Sequence, residues 1–235
     1  MGVEHDPRIP PVGRLISAHI EELEDGEFAA DGVAETFEKA EEIAFKNDGR
    51  EIPLRYFKDE CLHIDYDRSY DNHEDKQILK EIESLISVEI GHQVKKAVEP
   101  ISLLIIAGSF IAGGIVMGFL SKIGSDAWDL FKDKLIKLMK KKQEENKEYL
   151  LAFEFTVQKK NQIICLETVL SNPSESEISE FLQSGLKELD RLTPQLLEIG
   201  HGLKKIVFEY REGKLRVIFG LRKDGVPLQV DIDML

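Results

Sequence analysis

Cysteine, tryptophan and proline are scarce in this chain, which has two, one and eight of them in 235 residues. Neither Cys61 nor Cys165 has a second Cys or a His at ligand spacing, which favours a core role for both over a reactive, bridged or metal-binding one. Each lies inside a predicted strand and reads as a core side chain of a reducing compartment. The six histidines form no HxH or HExxH pair, and neither GxSxG nor a P-loop occurs. No catalytic residue, metal ligand or cofactor is assigned, and the chain reads as non-enzymatic. The opening MGVEHDPRIPPVGR has no apolar stretch of the signal-peptide kind, and Asp6 stands where a myristoylation site needs Ser or Thr.

Charge is abundant by contrast, at 32% of residues with a net value of -13. It is also uneven. Before Pro100 there are 12 basic and 25 acidic side chains, and from there on 19 of each. An acidic N-terminal half repels phosphate backbones, which argues against nucleic acid as a partner and leaves a protein partner open to that half. The densest polar run, HIDYDRSYDNHED, places Asp65, Asp67, Ser69, Asp71 and His73 at alternate positions of a calcium loop. Tyr70 replaces the glycine of the turn and Lys76 the bidentate glutamate, so the run reads as a solvated loop.

Periodicity divides the chain into an α+β arrangement. Arg14 to Leu23 reads as a strand ending at Asp25-Gly26, and Asp31 to Asn47 as a helix with Val33, Phe37, Ala40, Ile43 and Ala44 on one face. EIPLRYF and CLHIDYD then read as strands of a hairpin. Asp75 to Glu99 reads as an amphipathic helix. From Tyr149 onward the order is strand, strand, helix, strand, strand, with a capping box at Ser174 and Glu177, a helix interruption at Pro194 and a closing hairpin over Glu212-Gly213.

The one long run without charge is Pro100 to Ser121. It has the length to cross about 30 Å of hydrocarbon as a helix, and its eleven Leu, Ile, Val and Phe residues supply roughly -3 to -7 kcal/mol of insertion free energy. Gly108 and Ala112, Ser109 and Gly113, and Gly114 and Gly118 are each four apart, a spacing that lets helix backbones approach closely in lipid. Gly124 and Ser125 then mark a bend into a second helix. That helix carries an apolar stripe of Trp128, Phe131, Leu135 and Leu138 beside Lys132, Lys134, Lys137 and Lys140 to Lys142, as a membrane interface selects.

The expectation is therefore an α+β protein of two small sheet-plus-helix modules flanking a central apolar helix and a basic amphipathic helix. Its parts are an acidic module over 1–73, a connecting helix over 74–99, a candidate transmembrane helix over 100–123, an interfacial helix over 125–147 and a ββαββ module over 148–235. Gly108, Ala112, Gly113, Gly114 and Gly118 would mediate helix association. Trp128, Phe131, Lys132, Lys134 and Lys137 would meet lipid. The function expected is that of a membrane-associated, self-associating protein with cytoplasmic modules, acting as a permeabilising or sensor/effector protein. The alternative is a soluble homo-oligomer that binds a protein or ligand and buries the apolar helix between subunits.

Overall fold

The computed structural model describes residues 6–23, 27–38, 43, 51–54, 62–86, 88–92, 101–111, 113–145, 148–199 and 202–230. Among the described residues, strands β1 (Gly13–Glu22) and β2 (Phe28–Thr36) pair only with each other, as an antiparallel two-stranded ribbon. The remaining strands form one eight-stranded sheet: β3 (Leu62–Tyr66), β4 (Val88–His92), β5 (Ser102–Ile111), β6 (Tyr149–Lys159), β7 (Gln162–Ser171), β8 (Leu203–Arg211), β9 (Lys214–Arg222) and β10 (Pro227–Leu228). Their spatial order is β10-β9-β8-β7-β6-β5-β3-β4. With helices and strands in one framework the fold is α+β.

Three parallel neighbours, β3 with β4, β5 with β6 and β7 with β8, need crossover connections, and helices supply them. The first is α1 (His73–Leu85). The second is α2 (Ile115–Ile123) followed by α3 (Ser125–Glu144). The third runs through α4 (Glu175–Glu180), a π turn at Phe181–Gly185 and α5 (Leu186–Ile199). Hairpins join β6 to β7 and β8 to β9. At the second of these Glu212 and Gly213 both have positive φ, the backbone that a tight two-residue hairpin turn requires.

The helices pack on one face of the sheet. There Leu104, Ile106, Leu151, Phe153, Phe155, Leu166, Ile206 and Phe208 meet Ile78, Phe119, Phe131, Leu135, Phe181 and Leu189, all buried. The opposite face carries a second apolar cluster of strand residues, among them Leu103, Ile105, Leu150, Ala152, Val169 and Val207. A strand buried on both faces reads as a continuous apolar run rather than as an alternation.

That explains the main difference from the sequence reading. Ser102–Ile111 is the strand β5, not the first half of a helix over 100–123. Gly113, at φ +81°, turns the chain, and only Ile115–Ile123 is helical. A buried strand and a short buried helix in tandem have the length and apolarity of a membrane helix. No helix among the described residues is long and apolar enough to cross a membrane.

Other boundaries shift for related reasons. The helix expected over Asp31–Asn47 is strand β2 up to Thr36; residues 39–42 and 44–50 lie outside the described set. Glu51–Leu54 has no regular structure. The helix expected over Asp75–Glu99 ends at Leu85, where the chain enters β4. Pro194 lies within α5 without ending it. The Ser174 and Glu177 capping box forms as expected, with both reciprocal hydrogen bonds. Ser125 does not cap α3; Gly124 occupies that position and contributes no side chain. Apart from the ribbon, the strands before Pro100 share one sheet with those after Tyr149, because β3 pairs with β5 and β5 pairs with β6 along its whole length.

Candidate docking surface

The exposed large apolar side chains are concentrated. Among the described residues eleven are exposed, and eight of those fall between Ile9 and Val33, in or beside the ribbon. Directly opposed residues of an antiparallel pair share a face. Leu15 opposes Ala34, Ala18 opposes Gly32, Ile20 opposes Ala30 and Glu22 opposes Phe28. One face of the ribbon is therefore apolar until its tip. Leu15, Ile20 and Phe28 on it are 53%, 69% and 68% exposed. The other face carries Arg14 opposite Glu35, Ser17 opposite Val33 and His19 opposite Asp31. A register shift at Ile16 adds a bulge, which strengthens the local twist.

The ribbon is fastened at its base. Arg14 bonds Glu35 at 2.6 Å and donates to the Asp224 carbonyl at 2.8 Å, and its guanidinium lies 5.9 Å from the centre of the buried Phe37 ring. The Phe37 amide donates to the Val12 carbonyl at 2.8 Å. Asp224 is paired with Arg222 at 2.7 Å. Burial by itself would raise the Asp224 carboxyl; Arg222, the Val226 amide and Arg14 outweigh that and hold it below the usual carboxylate range. The base is thus ordered by ionic contacts to the β9–β10 turn, while the apolar face beyond it is open to solvent.

The residues singled out for helix association have other work. Gly108 is on β5, where an added Cβ would crowd Phe110 and Leu62 at 3.0 and 3.1 Å. Gly118 lies under the Phe110 ring so closely that a Cβ would overlap it. Gly113 makes the left-handed turn and Gly114 precedes α2. Ala112 lies outside the described residues. The amides of Ile115 and Val116 at the start of α2 donate to Asp190 of α5, at 3.1 and 3.5 Å. The small residues let a strand, a turn and a helix of one chain come together.

The residues expected at a lipid interface are similarly engaged. Phe131 is fully buried, and Trp128 is half-buried, stacked 6.3 Å from Phe131 and edge-on to Phe119. Lys132 pairs with Asp129 of its own helix at 3.4 Å, and Lys134 pairs with Glu81 of α1. Lys140 reaches Glu175 at 3.3 Å, and Lys141 reaches Glu74 at 2.7 Å. Lys137 lines a groove of about 390 Å³ between α1 and α3, together with Glu74, Glu81 and Glu144. The basic helix is matched by acidic residues of its neighbours. Lys142 is fully buried, 2.8 Å from the equally buried Asp75.

Two polar groupings hold charge within the fold. On the sheet face away from the helices, Lys205 sits 2.6 Å from Glu167 and 3.8 Å from Glu154. Burial opposes its charge, but Glu167, Cys165 and Glu154 hold the ammonium above the usual lysine range. Pairing with two carboxylates favours the protonated form, which has no lone pair for nucleophilic or basic chemistry. Asp67, from the acidic run, accepts from the Ser69 amide at 2.9 Å and from the Leu103 amide at 2.8 Å, so it organises the turn before α1. Among the described residues no group of His, Cys, Asp and Glu could hold a metal ion.

Comparison with known protein families, curated proteins and solved structures finds no match to this chain. The apolar ribbon face was not anticipated from the sequence. Its signal was the alternation of Phe28, Ala30, Gly32 and Ala34, which the helical spacing of Val33, Phe37 and Ala40 obscured.

Proposed function

We propose that this protein is a non-catalytic binding module whose working element is the β1–β2 ribbon, which engages a protein surface through its apolar face. One observation carries the reading: Leu15, Ile20 and Phe28 are more than half exposed on a single face of a ribbon that is anchored at its base. Burying a side chain of this size contributes about 1.5–3 kcal/mol. An exposed apolar ribbon face left uncovered is an association hazard, and large patches of this kind mark interaction sites.

A lipid surface is the competing class of partner. The pairing of Lys134, Lys140 and Lys141 with carboxylates and the burial of Phe131 and Leu135 favour protein over lipid. Photo-crosslinking tests the choice. A benzophenone amino acid placed at Phe28 or Ile20 should give discrete protein adducts, and the same group at Val33 on the opposite face should give far fewer. Equal adducts from both faces, or adducts to lipid alone, would overturn the reading.

A further inference from the structure

We infer that the occupant of the ribbon's apolar face is a second copy of this chain, packed face to face about a two-fold axis perpendicular to the strands. The inference rests on the reading of the ribbon as a docking element. Along the apolar face the opposed pairs run Leu15 with Ala34, Ala18 with Gly32, Ile20 with Ala30, and Glu22 with Phe28. Large and small residues are therefore distributed unequally between its two ends and along its two strands.

A two-fold axis through the middle of that face lays β1 antiparallel over β1 of the partner copy and β2 over its β2. The second pair then meets the third and the first meets the fourth. Ile20 sits over the other copy's Ala18, and Phe28 over its Ala34, while Gly32 opposes Ala30. Ile20 and Phe28 each face a small side chain, and symmetry repeats both contacts. This is the alternation by which packed sheets interdigitate. An isologous interface needs a patch complementary to itself, and this face meets that requirement. Leu15 falls against the aliphatic stem of Glu22, whose carboxylate, at the rim, stays in water.

The size fits a weak, reversible dimer. The seven residues of β2 from Phe28 to Ala34 extend about 23 Å, and two strands with their side chains are about 10 Å wide. Two such faces, with side-chain relief, bury roughly 700 Å², the area of a transient contact. The charge distribution adds a condition. Each chain carries -13, so two copies repel at long range and their association strengthens as salt screens that repulsion.

A paired charge substitution tests both partner and register. In light scattering, the wild-type chain should have twice its 26.7 kDa mass. Ile20→Lys and Ala18→Glu, each at an exposed position, should each weaken the dimer by about 30-fold or more, while melting as the wild type does at concentrations where both are monomeric. Mixed one to one they should form a heterodimer, because Lys at 20 then lies over Glu at 18 on one side and the native contact remains on the other. A wild-type chain that stays monomeric up to ~100 μM overturns the inference. So does a dimer indifferent to both substitutions, or a mixture that fails to recover. If a monomeric chain still forms adducts through Phe28 with a different protein, the docking role stands and the second copy does not; if it forms none, both fall.

Discussion

Lys142 and Asp75 face each other at 2.8 Å with neither side chain exposed, joining the last turn of α3 to the first turn of α1. The ammonium also donates to the Ser69 carbonyl at 2.6 Å and lies 4.6 Å from the centre of the Tyr70 ring. Asp75 takes a second cation, Lys141, at 3.0 Å. Removing one member of a buried pair strips the other of its principal counter-charge, here leaving Lys142 with Glu145 at 3.1 Å and the Ser69 carbonyl, whereas removing both costs less. Asp75→Asn should therefore destabilise the protein by about 3 kcal/mol. The double variant with Lys142→Met should lose less than the sum of the single changes, as read from urea midpoints in a double-mutant cycle.

The same carboxylate gives a pH dependence. Burial would raise Asp75, but Lys142, Lys141 and Asn72 together hold it below its ordinary value; Asp224 is lowered in the same direction. A depressed folded-state value means that the folded protein binds fewer protons than the unfolded chain. The stabilisation is present above the unfolded value near 4 and is lost as pH falls through the folded value. Urea midpoints should fall as pH drops below about 4, and Asp75→Asn should flatten that slope. Equal slopes would remove Asp75 from the explanation.

Gly118 separates packing within the chain from association between helices. Its missing Cβ makes room for the Phe110 ring. Gly118→Ala should cost about 1–3 kcal/mol through overpacking, and the loss should be independent of protein concentration. Differential scanning calorimetry at two concentrations reads both quantities. A loss that vanishes on dilution would return the glycine to an interface.

Surface and core should also diverge between the ribbon and α3. Leu135 is fully buried and Ile20 is 69% exposed. Leu135→Ala should cost about 2–5 kcal/mol. Ile20→Asp should stay within about 0.5 kcal/mol of the wild type under monomeric conditions. Guanidinium unfolding in detergent-free buffer measures the difference, and a small effect at Leu135 would show that α3 does not use that face for the core.

Much of the C-terminal half was legible in the sequence, because its signals are local. Leu151, Phe153, Phe155 and Val157 alternate along β6, Glu212-Gly213 closes a hairpin, and Ser174 with Glu177 starts a helix. What was not legible depends on pairing. Nothing between Ser102 and Ile111 states that the segment will be covered on two faces by distant residues, so a buried strand and a buried helix look alike there. The lysines of α3 read as an interfacial face because Glu74, Glu81 and Glu175, which meet them, are remote in sequence. The docking face stayed hidden for a different reason. Small residues at Ala18, Ala30, Gly32 and Ala34 look unremarkable until β1 and β2 are put in register.

The parallel pairing of β5 with β6 also has a consequence for how the chain is made. A ribosome adding about 5–20 residues per second delivers Ser102–Ile111 well before its neighbour Tyr149–Lys159 exists. For several seconds the most apolar strand of the protein has an unoccupied edge, with only the short strand Leu62–Tyr66 available on the other side. The two helices that intervene, Ile115–Ile123 and Ser125–Glu144, emerge during that interval and add cover to its face beside Ile78, Leu79 and Ile82 of α1, while the edge stays open. Synthesis that stalls between Ile111 and Tyr149 would release a fragment primed to aggregate through that edge.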